Sequence, residues 1–201
     1  MDAKSPPTHR PAKTGQLVNI PNLLTYGRIL AVPGIVALIV VDEDWSNWLA
    51  LAVFITASVT DFLDGYLARQ LDQHSAIGQM LDPIADKLLV SACLLALVAV
   101  DRIAGWTLVP ALVILCREIL VSGLREFLAG LQVSVPVSML AKWKTTLQLI
   151  ALGFLVIGAT GDKVLPLVTT IGVWGLWISA IVTLYTGYEY FRGGMRHIAG
   201  D

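Results

Sequence analysis

Apolar residues in this chain come in long blocks, not in the period-two alternation of a half-buried strand. Six of the blocks are long enough to cross a hydrocarbon core of about 30 Å as helices. They predict spans at 23–41, 47–70, 77–100, 105–128, 138–160 and 165–191. Each span is apolar over one half and polar over the other. Thr25 and Arg28 open the first, whereas Asp61–Arg69 closes the second and Gly78–Lys87 opens the third. Arg117-Glu118 and Arg125-Glu126 close the fourth, Lys142 and Lys144 open the fifth, and Tyr188, Glu189 and Arg192 end the sixth. Consecutive spans run in opposite directions, so this alternation puts every polar half on one side of the membrane. The predicted fold class is an all-α integral membrane protein: six transmembrane helices around a polar cavity open to one face. Residues 1–16, with Pro6, Pro7 and Pro11, read as a flexible tail. Leu17–Asn22 read as a short interfacial segment that turns into the first span at Pro21-Asn22. Residues 17–192 form one six-helix domain, and 193–201 a C-terminal tail.

Composition agrees with a membrane protein: 56% of the 201 residues are hydrophobic and only 14% are charged, too apolar for an ordinary soluble domain. A net charge of −1 gives no bulk attraction for nucleic acid, and no such partner is expected. No apolar core with a cleavage site follows the basic N-terminus, so no signal peptide is read. The distribution of basic residues orients the chain. On the side away from the cavity, Asp42, Glu43, Asp44, Asp101 and Asp162 are accompanied only by Arg102 and Lys163; the other twelve of fourteen basic residues lie on the cavity side. The positive-inside rule therefore places the cavity and both termini in the cytoplasm. Cys93 and Cys116 lie inside apolar blocks without ligand spacing and read as small buried packing residues. His9, His74 and His197 fall in tails or a loop and read as solvated; Trp45, Trp48, Trp106 and Trp143 read as interfacial belts.

The chemistry concentrates in Asp61-Phe-Leu-Asp64-Gly65-Tyr-Leu-Ala68-Arg69, continued by Gly78, Asp82 and Asp86. On a helix Asp61, Asp64, Gly65 and Ala68 share one face, as do Gly78, Asp82 and Asp86 on the next. Two such helices facing each other converge four carboxylates beside small residues. Four carboxylates at close range need compensation by protons or by metal. Oxygen-only ligands favour hard cations such as Mg²⁺ or Mn²⁺ over zinc, and two such ions would clamp a diphosphate for displacement at phosphorus. The plain alternative is a salt-bridge network among Asp61, Asp64, Asp82, Arg69 and Lys87, which leaves the small residues at 65, 68 and 78 unexplained. Arg69 suits a phosphate oxygen, or serves as an interfacial anchor.

A second, basic group comprises Arg117, Arg125, Lys142 and Lys144. Interfacial anchoring, with Glu118 and Glu126 as neutralising partners, is one reading. Arg117 and Lys142 fall within the spans, however, which favours a pocket for a second anionic group beside the acidic one.

The pattern D-x2-D-G-x2-A-R-x8-G-x3-D-x3-D over residues 61–86 is complete and resembles the signature of the CDP-alcohol phosphotransferases. That resemblance implies a six-helix membrane enzyme in which an acceptor hydroxyl displaces CMP from a CDP-linked donor. It implies that Asp61, Asp64, Asp82 and Asp86 hold two Mg²⁺ or Mn²⁺ ions, and that Asp86 is the candidate base. Gly65, Ala68, Arg69 and Gly78 would cradle the CDP group, and a homodimer is implied as well. Asn19-Ile-Pro-Asn-Leu-Leu-Thr25 with Arg28, Arg117-Glu118 with Gly123-Leu-Arg125-Glu126, and Lys142-Trp-Lys144-Thr145-Thr146 look like bacterial inner-membrane members that use CDP-diacylglycerol and sn-glycerol 3-phosphate. The acceptor's phosphate would then occupy the basic group. Alternatives are a family member with another acceptor (phosphatidylglycerol, serine or inositol phosphate) and, from a different class, a divalent-cation transporter. The apolar outer half-spans offer a transporter no polar route.

Overall fold

The computed structural model describes residues 20–71, 76–131 and 139–199; within these, side chains are described except at 20–21, 62–71, 76, 79, 139–142 and 196–199. Among the described residues every regular element is helical: α1 (Ile20–Val41), α2 (Asp44–Leu71), α3 (Ala76–Ala99), α4 (Leu108–Gly130), α5 (Met139–Asp162) and α6 (Val168–Ala199), with a 3₁₀ turn at Gly105–Thr107 leading into α4. The shortest, α1, has 22 residues, about 33 Å at 1.5 Å per residue, so each helix has the length of a membrane crossing. Four segments are also apolar enough to cross: Asn22–Val41, Gly105–Gly130, Trp143–Asp162 and Val168–Met195. The other two helices, α2 and α3, carry the acidic motif.

Three expectations change. The turn at Pro21-Asn22 is instead the first turn of α1, which starts at Ile20. Proline is at home there, because N–H groups of the first turn have no intrahelical partner to lose. The rest of the expected interfacial segment, like residues 1–16, lies outside the described residues. At the other end α6 continues through most of the expected C-terminal tail to Ala199. A Cβ on Gly194 would stand 3.0 Å from Leu128 Cδ1, so the added turns rest against the end of α4. Cys93 is buried as expected, but Cys116 is exposed, on the same outward face of α4 as Leu112, Ile119 and Leu120. An outward apolar face is what a helix turned toward lipid presents, and a thiol is compatible with it.

Helix α1 packs against α2 and α3, α4 against α6, and α5 against α6 and α2. The core between them holds Ile35, Phe54, Leu89, Leu97, Ile114, Leu152, Leu155 and Leu176. Small residues set the α5–α6 distance: a Cβ on Gly172 would lie 2.9 Å from Leu155 Cγ, and one on Gly175 2.9 Å from Ala151 Cβ. Such backbone approach replaces the hydrophobic drive that helices lack in lipid.

One end of the bundle is held by Arg102. Its guanidinium bonds Asp42 and the Val156 carbonyl, donates to Asn47 Oδ1 at 2.7 Å and reaches the Leu155 carbonyl at 3.2 Å. Those carbonyls lie just before Gly158, whose φ of 49° and ψ of −134° break the helical course of α5. Arg102 thus supplies donors where the kink disturbs the ladder. Asn47 Nδ2 continues to Thr160 Oγ1 (3.0 Å), which donates to Asp44 Oδ1 (2.9 Å), itself bonded by Lys163 (2.6 Å). Every basic residue expected on the non-cavity side is therefore part of this cap.

Desolvation alone would raise the Asp42 carboxyl, but hydrogen bonds from Arg102 and Asn47 and the Arg102 charge outweigh it and hold its pKa below the ordinary value. A depressed folded pKa gives stabilisation that is complete above the unfolded value of ~3.9 and is lost as pH falls through the folded value. Arg102→Ala is expected to destabilise the protein by about 3 kcal/mol, the range for hydrogen bonds to a charged group, and to flatten part of its acid sensitivity. Thermal unfolding in detergent between pH 7 and pH 3 checks both; an unchanged melting temperature would remove Arg102 from this role.

Candidate active site

At the opposite end of the bundle, α1 supplies partners for the acidic motif. Thr25 Oγ1 donates to Asp82 Oδ1 at 2.7 Å, and Arg28 forms an ion pair with Asp61. Thr25 and Arg28 are 1% and 2% exposed, so both contacts are made inside the bundle. Their origin is the packing of α1 on both α2 and α3. Among the described residues, α1 joins the two motif helices. Asp82 lies within electrostatic reach of Asp61, and Asp61 within reach of Asp86. Three of the four motif carboxylates therefore belong to one site. Gly78 is buried one turn before Asp82. Asp64, Gly65, Ala68 and Arg69 occupy the last turns of α2, where side-chain placement lies outside the described residues. Lys87 Nζ donates to the Pro83 carbonyl at 2.8 Å, a local bond that leaves the salt-bridge alternative without one of its two cations.

The basic group is only partly gathered. Lys144, 3% exposed, is bonded to Glu118, which Arg117 Nη1 approaches at 3.4 Å. Arg117 Nη2 lies 3.4 Å from Thr186 Oγ1, and its Nε has no partner among the described residues. Contacts of 3.4 Å are at the weak end for N–H···O bonds. Arg117 also lies across α6 at Gly187, where a Cβ would stand 3.1 Å from its Cγ. Arg125 is exposed and sits over the Tyr190 ring, 5.7 Å from the centroid. Lys142 lies outside the described side chains. The two groups meet at Asp86, which lies within electrostatic reach of both Glu118 and Lys144.

An apolar groove of about 880 Å³ runs between α2 and α5. It begins near Trp48 and Leu165, passes Phe54 and Phe154, and ends at Asp61, Thr145 and Thr146. An apolar channel that stops at a motif carboxylate can hold a molecule with a hydrocarbon body and a polar head.

The donor chemistry of the site suits a hard divalent ion: Asp61, Asp82 and Asp86 offer only oxygen. They repel one another, with Arg28 as the buried counter-charge beside Asp61. Among the described residues no three acidic, histidine or cysteine side chains converge as a ready chelate. Asp61 is turned to Arg28 and Asp82 to Thr25, so metal uptake requires these carboxylates to share or exchange partners.

Sequence reasoning named both groups but missed two partners. Arg28 was a polar residue at a helix end, yet a cation within an apolar span must find an anion, and that signal could have led to Asp61. Glu118, named as a neutralising partner in the anchoring reading, is the acceptor between Arg117 and Lys144. The Arg102–Gly158 contact had no sequence signal beyond an isolated basic residue.

The chain is similar to known proteins over most of its length. The family model for CDP-alcohol phosphatidyltransferases matches residues 18–185. The CDP-diacylglycerol–glycerol-3-phosphate 3-phosphatidyltransferase of Rickettsia typhi is 47% identical over 174 residues, covering 87% of this chain and 96% of that protein. The protein of the same name from Cereibacter sphaeroides is 37% identical, over 91% of this chain and 98% of its own length. A cardiolipin synthase (CMP-forming) of Oryza sativa is also 37% identical, over 88% of this chain and 57% of that protein. A match over most of the helical bundle, including the entire acidic motif, makes the chain a member of the CDP-alcohol phosphatidyltransferase family.

Proposed function

We propose that this enzyme transfers the phosphatidyl group of CDP-diacylglycerol to sn-glycerol 3-phosphate, forming phosphatidylglycerophosphate and releasing CMP. The observation that carries the reading is the meeting of three elements at one end of the bundle. Motif carboxylates, the buried Arg117–Glu118–Lys144 group and an apolar groove all converge there. In this reading all six helices cross the inner membrane of a bacterium, with the cavity and both termini on the cytoplasmic side and two copies forming a homodimer. The donor's acyl chains lie in the α2–α5 groove, which ends at Asp61. Gly65, Ala68, Arg69 and Gly78 border the CDP head.

Asp61, Asp64, Asp82 and Asp86 would hold two Mg²⁺ or Mn²⁺ ions, which when bound neutralise the diphosphate and stabilise charge developing at phosphorus. Arg117, Arg125, Lys142 and Lys144 receive the acceptor's phosphate. Arg117 is the best suited, because its present bonds are long and its Nε is unpaired among the described residues. With the phosphate anchored, the primary hydroxyl of the acceptor faces the lipid-side phosphorus. Its oxygen forms the new P–O bond as the bond to the CMP phosphate breaks. Asp86 takes the hydroxyl proton, and the departing phosphate faces Arg69. The Oryza relative's name supports a second reading in which phosphatidylglycerol is the acceptor; the buried cations favour a small phosphorylated one.

Purified protein with Mg²⁺ is expected to release CMP from CDP-diacylglycerol when given glycerol 3-phosphate, and not with phosphatidylglycerol, serine or inositol phosphate. Release with another acceptor alone would replace the substrate assignment, and none with any acceptor would revive the transporter reading. Asp86→Asn should lower kcat by about 10²–10⁴-fold, the worth of a general base; substantial remaining turnover would remove that role. Arg117→Ala is expected to raise KM for glycerol 3-phosphate by about tenfold or more, the loss of one charge-assisted bond. KM for CDP-diacylglycerol should change little, and equal effects on both substrates would argue against the acceptor pocket.

A further inference from the structure

Between the acidic and basic halves of the site stands Glu118, to which the reaction as written assigns no role. Lys144 is almost completely buried, and among the described residues Glu118 is the one hydrogen-bond acceptor of its ammonium. A buried ammonium cannot stay charged without an anion beside it. Two carboxylates interact with it: Glu118, which holds it, and Asp86, which lies within electrostatic reach of both. A lysine side chain has a flexible four-carbon stem and a compact charge. Deprived of Glu118, it would turn to the remaining carboxylate.

The two cations on Glu118 are held unequally. Lys144 is bound closely, whereas Arg117 Nη1 is 3.4 Å away and is shared with Thr186 at 3.4 Å. Glu118 therefore neutralises Lys144 and leaves most of the Arg117 charge uncommitted. The helix register supports this separation. Ala151 meets Gly175 and Leu155 meets Gly172 across α5 and α6, and one antiparallel register continued toward the site brings Lys144 level with Thr183. Thr183 Oγ1 is buried without a partner among the described residues, so α6 offers Lys144 no competing anion there.

We infer that Glu118 is a positioning residue that keeps the Lys144 ammonium off Asp86, so that Asp86 stays available to a divalent cation and to the acceptor hydroxyl. This rests on the proposed function for the metal and proton roles of Asp86 and for the identity of the acceptor.

The test uses the full-length protein in detergent, with Glu118→Gln, Lys144→Gln and the double variant, and two measurements. The first is Mn²⁺ binding, followed by electron paramagnetic resonance without donor or acceptor. The second is steady-state CMP release, with KM and kcat resolved. E118Q is expected to bind Mn²⁺ about tenfold more weakly, the order of effect of one nearby opposite charge on a carboxylate, and to lose kcat. K144Q should bind Mn²⁺ like the wild type while raising KM for glycerol 3-phosphate. The double variant should recover both the Mn²⁺ affinity and the kcat lost in E118Q, while keeping the raised KM. If Glu118 merely held α4 to α5, K144Q would break the same contact and weaken Mn²⁺ binding as E118Q does, and the double variant would recover nothing. Mn²⁺ affinity in E118Q equal to the wild type, or a double variant no better than E118Q, overturns the inference. Wild-type protein that prefers another acceptor would overturn the substrate assignment and leave the Mn²⁺ comparison intact.

Discussion

The closest ion pairs inside this bundle join different elements of the chain, and much of the architecture follows from that constraint. Removing an ion from water costs several kcal/mol, and only close, well-bonded partners offset it. Arg28 on α1 meets Asp61 on α2, Lys144 on α5 meets Glu118 on α4, and Arg102, between α3 and α4, meets Asp42 before α2. Apolar packing would tolerate small rotations of each helix. These pairs would not, because a rotated helix would strand a buried ion. Close α5–α6 contact through Gly172 and Gly175 adds the matching limit on distance.

The two ends of the bundle use the same kinds of residue to opposite effect. Around Arg102 the guanidinium has two carbonyls, a carboxylate and an amide, and the chain of bonds continues through Asn47 and Thr160 to Asp44 and Lys163. Such a network is nearly saturated and leaves little for a ligand to gain. At the other end Arg117 has long contacts and an unpaired Nε, while the carboxylates of α2 and α3 outnumber their close partners. Incomplete pairing there is tolerated because a ligand of complementary charge completes it. A structural ion network and a binding site differ in what they leave unpaired, and only the second end leaves charge of both signs.

Much of this was legible in the chain because a membrane turns burial into a simple rule. Long apolar blocks could only be helices, and the alternation of polar halves predicted one polar end; the Thr25–Asp82 and Lys144–Glu118 bonds join polar halves of four helices. The spacing of Asp61, Asp82 and Asp86 likewise marked residues that prove to be electrostatic neighbours. Partner choice was not legible. Arg69, adjacent in sequence to the motif, was the natural candidate to pair with Asp61, yet Arg28 does so, because helix order in space places α1 against both motif helices. The kink at Gly158 was hidden for a similar reason. Glycine within a membrane helix usually signals close packing, and the left-handed φ here goes with Arg102, 56 residues earlier, donating to the carbonyls just before it.

In the proposed reaction the site must also join two phases: a lipid donor arrives from the bilayer with its reactive phosphorus at the polar boundary, whereas a phosphorylated acceptor arrives from water. A closed pocket would exclude the first, and an open surface would leave the second solvated and weakly held. The α2–α5 groove opens along the apolar flank of the bundle and stops at Asp61, and Arg117 and Lys144 lie on helices that meet across the polar end. In that reading both approaches end on carboxylates of one cluster, and the small residues beside the acids at 61–86 leave room for the lipid's head to turn toward them.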